Sequence, residues 1–169
     1  VNGNKTMKAL VLRKHGGLDQ LDIVSDYPVP SAVAGHVVIR VHAASFNYHD
    51  VFTVRGMPGI KVPLPIILGL DMAGEIIELG SDVNGWNVGD RVLVNPLNKK
   101  KGLMGEMLDG GMAEYCEVAA DQLIAMPAGV SFEEAAALPV AYGTAHRMLI
   151  THATVKSGDR VLILGASGG

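Results

Sequence analysis

Apolar residues in this chain come in short runs, cut by glycine and proline, from Met7 to about Met126. The runs at 7–12, 21–24, 37–44, 73–79, 91–95, 113–118 and 123–125 have the length and residue types of strands. Within the third run, Val37, Ile39 and Val41 alternate with Val38, Arg40 and His42, the period-two pattern of a half-buried strand. Many short strands at this spacing predict a small barrel or sandwich rather than a parallel sheet. The pattern changes at Pro127-Ala128-Gly129. Ser131, with Glu134 three residues on, is a capping box ahead of an alanine-rich stretch, so a helix is predicted there. Pro139 should interrupt it. A second helical stretch follows over 140–152, then a turn at Lys156-Ser157-Gly158-Asp159.

The last apolar run, Arg160-Val161-Leu162-Ile163-Leu164, reads as a strand and leads into Gly165-Ala166-Ser167-Gly168-Gly169. A strand that enters a glycine-rich turn is how a dinucleotide-binding unit opens. The turn lets a phosphate approach the backbone, and the N–H groups of the next helix face that anion. The expected organisation is therefore one mainly β unit over residues 1–126 and the opening of a second over 127–169. Gly-Asp-Arg-Val occurs twice, at 89–92 and 158–161, with unrelated flanks; it reads as one turn-into-strand chemistry used twice rather than as a repeat.

Composition narrows the function classes. The chain is 49% hydrophobic and 18% charged, with mean hydropathy +0.28, apolar enough to imply surface meant for another domain or subunit. Net charge is −3, and Lys99-Lys100-Lys101 is the longest basic run, so nucleic acid is not an expected partner. Cys116 is the sole cysteine, so no intrachain disulfide can form. No stretch approaches the ~18 apolar residues of a membrane span. The polar start up to Thr6 lacks a signal-peptide core and reads as a remnant ahead of Met7. A cytoplasmic protein is expected.

Five motifs in order carry a resemblance. They are Ala43-Ala44-Ser45-Phe46-Asn47-Tyr48-His49-Asp50, Leu64-Pro65-Ile66-Ile67-Leu68-Gly69-Leu70-Asp71-Met72-Ala73-Gly74, Val88-Gly89-Asp90-Arg91-Val92, Asp109-Gly110-Gly111-Met112-Ala113-Glu114-Tyr115 and Ser131-Phe132-Glu133-Glu134-Ala135-Ala136-Ala137-Leu138-Pro139. Together they resemble the medium-chain dehydrogenase/reductase superfamily, nearest to the quinone oxidoreductases and the related zinc-type alcohol dehydrogenases. The resemblance spans nearly all of 7–169. It implies a mainly β GroES-like barrel, the catalytic domain, followed by the first strand of an α/β Rossmann domain. It also implies hydride transfer between NAD(P)H and a small-molecule alcohol, carbonyl, quinone or activated alkene, by a full-length protein that forms a homo-oligomer.

The same resemblance implies where a catalytic zinc would sit, and this sequence departs from it at each position. Asn47 stands where the family has its first cysteine, Leu70-Asp71 where it has a His-Glu pair, and Pro139-Val140 where a third ligand falls. His49, Asp50 and Asp71 are the remaining candidates for an irregular site. A histidine and two hydrogen-bonded carboxylates in a cleft is the simpler reading. The lobe that carries four cysteines for structural zinc corresponds to 97–109, which has none and reads as a solvated loop. No zinc is expected.

Without a Lewis acid, the oxygen that gains charge needs hydrogen-bond donors. The resemblance places Asn47 and His49 at the substrate end of the cleft, His49 where alcohol dehydrogenases keep a proton-relay hydroxyl. Its imidazole suits general acid work, and Asn47 could orient a carbonyl. Asp50 is expected to brace the loop, in a stretch that could also be a simple hydrogen-bonded turn. Tyr48 is expected near the nicotinamide ribose or phosphate, and Thr144 against the nicotinamide ring. Gly165, Ala166, Ser167, Gly168 and Gly169 resemble the longer phosphate turn of zinc-free quinone reductases. By that analogy the cofactor is NADPH, with NADH left open. Cys116 reads as an inert packed thiol. The competing reading is a stand-alone GroES-like binding module without catalytic activity. A co-chaperonin ring subunit would share only the barrel.

Overall fold

The structure is a computed structural model that describes residues 5–166. In chain order its elements are β1 (Thr6–Leu12), β2 (Leu21–Pro28), β3 (His36–Ser45), α1 (Tyr48–Arg55), β4 (Ile66–Ile67), β5 (Asp71–Leu79), β6 (Arg91–Val94), β7 (Leu97–Asn98), β8 (Gly102–Leu103), β9 (Tyr115–Ala119), β10 (Leu123–Ala125), α2 (Phe132–Ala136) and α3 (Ala141–His146). Helix α3 runs on as a π-helical segment, Arg147–His152. Every run up to residue 125 that the sequence predicts as a strand overlaps one of these strands, with residues 95, 113 and 114 falling outside them, while β4, β7 and β8 are not predicted.

Strands pair antiparallel in the orders β2-β1-β4 and β10-β6-β5-β3-β9, with β7-β8 as a separate hairpin. The two larger sheets are stitched along one seam. Ala9 bridges Ala113, Leu10 donates its N–H to Met112 O, and Val41 donates to Glu114 O, so the strands wrap towards a barrel. The core inside holds Val37, Ile39, Met72, Ile76, Val92, Val94, Met104, Cys116 and Val118, each almost wholly buried. Cys116 is packed there, and burial pushes its thiol far above the ordinary range, which disfavours the nucleophilic thiolate. Val38 is as buried as Val37 and Ile39, which the strict alternation did not predict. A register irregularity between Val38 and Ile39 in the β3–β5 pairing accompanies it.

The helix predicted after residue 130 forms as α2, and its capping box is in place. Ser131 Oγ accepts from Glu134 N at 3.1 Å, and Glu134 Oε2 accepts from Ser131 N at 2.8 Å. Ala135 and Ala136 pack against Ala73 and Leu93. The Phe132 ring stacks on His42 at 4.3 Å and carries the Arg91 guanidinium at 4.5 Å, which fastens α2 to β3 and β6. The two Gly-Asp-Arg-Val turns are built alike. Asp90 Oδ2 accepts from Asn87 N at 2.8 Å, and Asp159 Oδ2 accepts from Lys156 N at 2.7 Å, with a left-handed glycine in each.

The strand predicted at 160–164 does not form among the described residues. Val161, Leu162, Ile163 and Leu164 have no ladder partner and stand exposed, Leu162 at 84% and Leu164 at 85%. A lone segment cannot pair its own N–H and C=O groups as a strand. No described strand pairs with this one. From Ala141 to Ala166 only Val155 is even half-buried.

Candidate functional site

Ser45, at the end of β3, pairs in register with Asp71 at the start of β5. The chain then turns at Asn47 and enters α1, where the residue pattern predicts a loop. The helix start has a clear cause. Asn47 is extended, at φ −125° and ψ 154°, and its N–H donates to Asp50 Oδ2 at 2.7 Å. Asp50 N in turn donates to Asn47 O at 2.9 Å. Asn followed by Asp three residues on is the signal that reveals this cap, the same logic as Ser131 and Glu134. Asp50 thus braces the turn.

Asp71 is 0% exposed and joins three parts of the chain. Its Oδ2 accepts from Ser45 Oγ at 3.2 Å and from Asn47 Nδ2 at 3.0 Å, and its Oδ1 accepts from Val140 N at 3.1 Å. A carboxylate only accepts, so it fixes which way the Asn47 amide points: one N–H is spent on Asp71, and the amide nitrogen makes no second hydrogen bond among the described residues. Burial pushes the Asp71 carboxyl above its ordinary value, against the pull of these donors. Burial raises Asp50 likewise, opposed by the Asn47 N–H and the field of His49. Asp50 Oδ1 is the one buried side-chain oxygen or nitrogen among the described residues without a hydrogen-bond partner.

His49, in the first turn of α1, is half-buried, and its Nε2 lies 2.6 Å from Glu106 Oε2. No local pattern points to Glu106, which sits 57 positions away in the segment 97–109. That segment was expected to be a solvated loop, and the structure corrects this in part. Lys99, Lys100 and Lys101 are exposed, but Met104 packs into the barrel core and Glu106 is only 6% exposed. Two glycines bring the lobe in. Gly105 has φ +70°, and a Cβ there would come within 2.7 Å of Gly69 N; Gly69 has φ +103°, and its Cβ would meet Met112 N at 2.9 Å. Only bare backbone fits at this crossing, and it sets Glu106 against His49.

The result is two half-buried polar side chains, Asn47 and His49, each held by a buried carboxylate from another element. Phe46, Tyr48 and Phe52 stand exposed around them, with Tyr48 and Phe52 edge to face at 5.1 Å and Phe52 edge-on to His49 at 6.5 Å. Thr144 lies one turn along α3 from Val140, whose N–H is on Asp71, and it is exposed. Gly165 is in the left-handed region at φ +69° in an exposed turn with Ala166. Ser167, Gly168 and Gly169 lie outside the described residues. Among those described, no three His, Cys, Asp or Glu side chains are grouped to hold a metal ion.

Residues 33–128 match the family model of the alcohol dehydrogenase GroES-like domain. The chain is 36% identical over 167 residues to a quinone oxidoreductase of Sus scrofa, covering 99% of this chain and 48% of that protein. Among solved structures, a putative alcohol dehydrogenase from Sinorhizobium meliloti superposes with TM-score 0.87 at 33% identity, over 98% of this chain and 52% of that one. The quinone oxidoreductase of Coxiella burnetii gives 0.77 at 38% identity, over 92% and 47%. The chain spans about half the length of the curated relatives it matches.

Proposed function

The chain belongs to the medium-chain dehydrogenase/reductase superfamily, on its quinone oxidoreductase-like side, with an alcohol dehydrogenase GroES-like domain, and from this we propose that it carries the substrate site of an NADPH-dependent, zinc-independent oxidoreductase. The substrates are quinones, enones or related carbonyls, and NADH is the alternative donor. One observation carries the reading: Asn47 and His49, two residues apart at the start of α1, are each hydrogen-bonded to a buried carboxylate, with Phe46, Tyr48 and Phe52 exposed among their sequence neighbours. That is a preorganised pair of hydrogen-bond donors, which is what an oxygen gaining charge requires.

The donor set does not suit zinc. The Asn47 amide nitrogen donates to Asp71, Leu70 is buried hydrocarbon, and the chain at Val140 offers Asp71 an N–H. Both oxygens of Asp71 are already engaged by protein donors. No step here passes through a metal.

A reduced nicotinamide, when bound, supplies the hydride. Tyr48 and Thr144 would face it, the first exposed beside His49 and the second exposed on the helix that Asp71 joins to Asn47. The glycine turn from Gly165 to Gly169 would take its phosphates. As the acceptor carbon gains the hydride, its oxygen takes the displaced electron pair. The second N–H of Asn47 stabilises that charge, and His49 delivers the proton. Phe46, Tyr48 and Phe52 offer flat apolar contact for a planar acceptor. The exposed apolar run 161–164 supports a homo-oligomer or a further domain as its cover. Among the described residues no helix is long and apolar enough to cross a membrane, and a cytoplasmic site of action is part of the proposal.

The test is NADPH consumption by the protein in the form its source makes, over a panel of quinones and enones. Turnover that falls ~100-fold in Asn47→Ala supports the reading, in keeping with the loss of one oxyanion donor. Cofactor binding without turnover of any acceptor would contradict it and favour a binding module.

A further inference from the structure

We infer that Glu106 is a positioning residue for His49, and that Nδ1 is the ring atom from which the proton leaves. This rests on the reading of His49 as the proton donor. The geometry behind it is independent of activity. Nε2 is 2.6 Å from a carboxylate oxygen that can only accept, so Nε2 carries a hydrogen in both the neutral and the protonated ring. Nδ1 makes no hydrogen bond among the described residues. It is also not a buried atom left without a partner, since Asp50 Oδ1 is the one such side-chain atom there. Nδ1 therefore meets solvent, on a side chain beside the exposed Tyr48 and Phe52.

The proton balance follows. The hydride adds to the acceptor carbon, and the proton on Nδ1 moves to the acceptor oxygen. The ring is left neutral with its hydrogen on Nε2, in the hydrogen bond to Glu106. Solvent then returns a proton to Nδ1. Glu106 never meets the substrate. It is nearly buried, and its backbone is fixed by the Gly105–Gly69 crossing and by Met107 N on Leu103 O at 2.9 Å. The lobe 97–109 thus serves the site by holding one carboxylate on the far nitrogen of the imidazole. A carboxylate that fixes an imidazole from behind is a general way to set which nitrogen reacts.

Two measurements test this. In the imidazole region of the proton–nitrogen NMR spectrum, wild type should show a slowly exchanging hydrogen on Nε2 of His49, lost in Glu106→Leu and assigned by its absence in His49→Gln. A protected hydrogen on Nδ1, or none in wild type, overturns the assignment even if the enzyme is active. In NADPH-dependent turnover, Glu106→Gln should lower kcat at least tenfold with KM within about twofold. The double variant with His49→Gln should be no slower than His49→Gln alone. Multiplying losses would show that Glu106 acts elsewhere and overturn the inference. Absence of turnover in wild type itself would contradict the proposed function instead, and the NMR result would still decide where Glu106 holds the ring.

Discussion

Asp50 and Asp71 are the two carboxyls of this site whose titration the fold shifts. Both carboxyls are buried, and burial raises each above the 3.8 at which an ordinary aspartate titrates. Between 3.8 and its folded-state value, each group binds more protons in the folded chain than in the unfolded one. Stability contributed by that group is then full below 3.8, falls as pH rises through the window, and is level above it. The slope for one group is at most about 1.4 kcal/mol per pH unit. Asp50→Asn removes one such group and keeps an acceptor for the Asn47 N–H. We expect the stability of wild type relative to this variant to decline as pH rises from about 4, measured by urea unfolding at successive pH values. A relative stability that rises with pH would mean that Asp50 is instead held by unseen donors. At this scale the sequence was a fair guide to which residues cluster, because Asn47, His49, Asp50 and Asp71 lie in two short motifs. Glu106 was illegible. Nothing local distinguishes it from a solvated glutamate, and its place follows from two glycines meeting across the fold.

Among the elements, β1, β2, β3, β5, β6, β9 and β10 were legible because each carries its own apolar run, whereas the two-residue strands β4, β7 and β8 are too short to show a pattern. The α2 cap was legible for a similar reason, since Ser131 and Glu134 are a local pair. Replacing Ser131 with Ala should cost about 1 kcal/mol. It would appear as a lower urea midpoint with an unchanged m-value, and an unmoved midpoint would show that the Phe132 stack alone holds the helix. Helix α1 was missed because its apolar pattern is poor. Asp50, Thr53 and Val54 are its buried residues, so its position depends on the cap and on polar contacts such as Thr53 Oγ1 to His49 O at 3.2 Å. The segment 160–164 failed in the opposite sense. Its residues have strong strand character, but a strand is a property of a pair, and no described partner exists for it.

Across the whole molecule, the barrel and α2 form a packed body, while 141–166 is exposed at every residue but the half-buried Val155. Asp71 is the tie between them. It holds Asn47 with one oxygen and the first N–H of the α3 approach with the other. A substrate on Asn47 and a cofactor along α3 would thus share one buried carboxylate as their common reference. Hydride delivery to an acceptor held by Asn47 and His49 is the central claim, and its direct test is the fate of the transferred hydrogen. The protein in the form its source makes should be given NADPH deuterated at the nicotinamide C4, with an enone or quinone that turns over. The account predicts deuterium on the acceptor, one atom per turnover on carbon for an enone, with the rate reduced in His49→Gln and Asn47→Ala. Reduction at undiminished rate in both variants, or no deuterium leaving the nicotinamide with any acceptor, would contradict it.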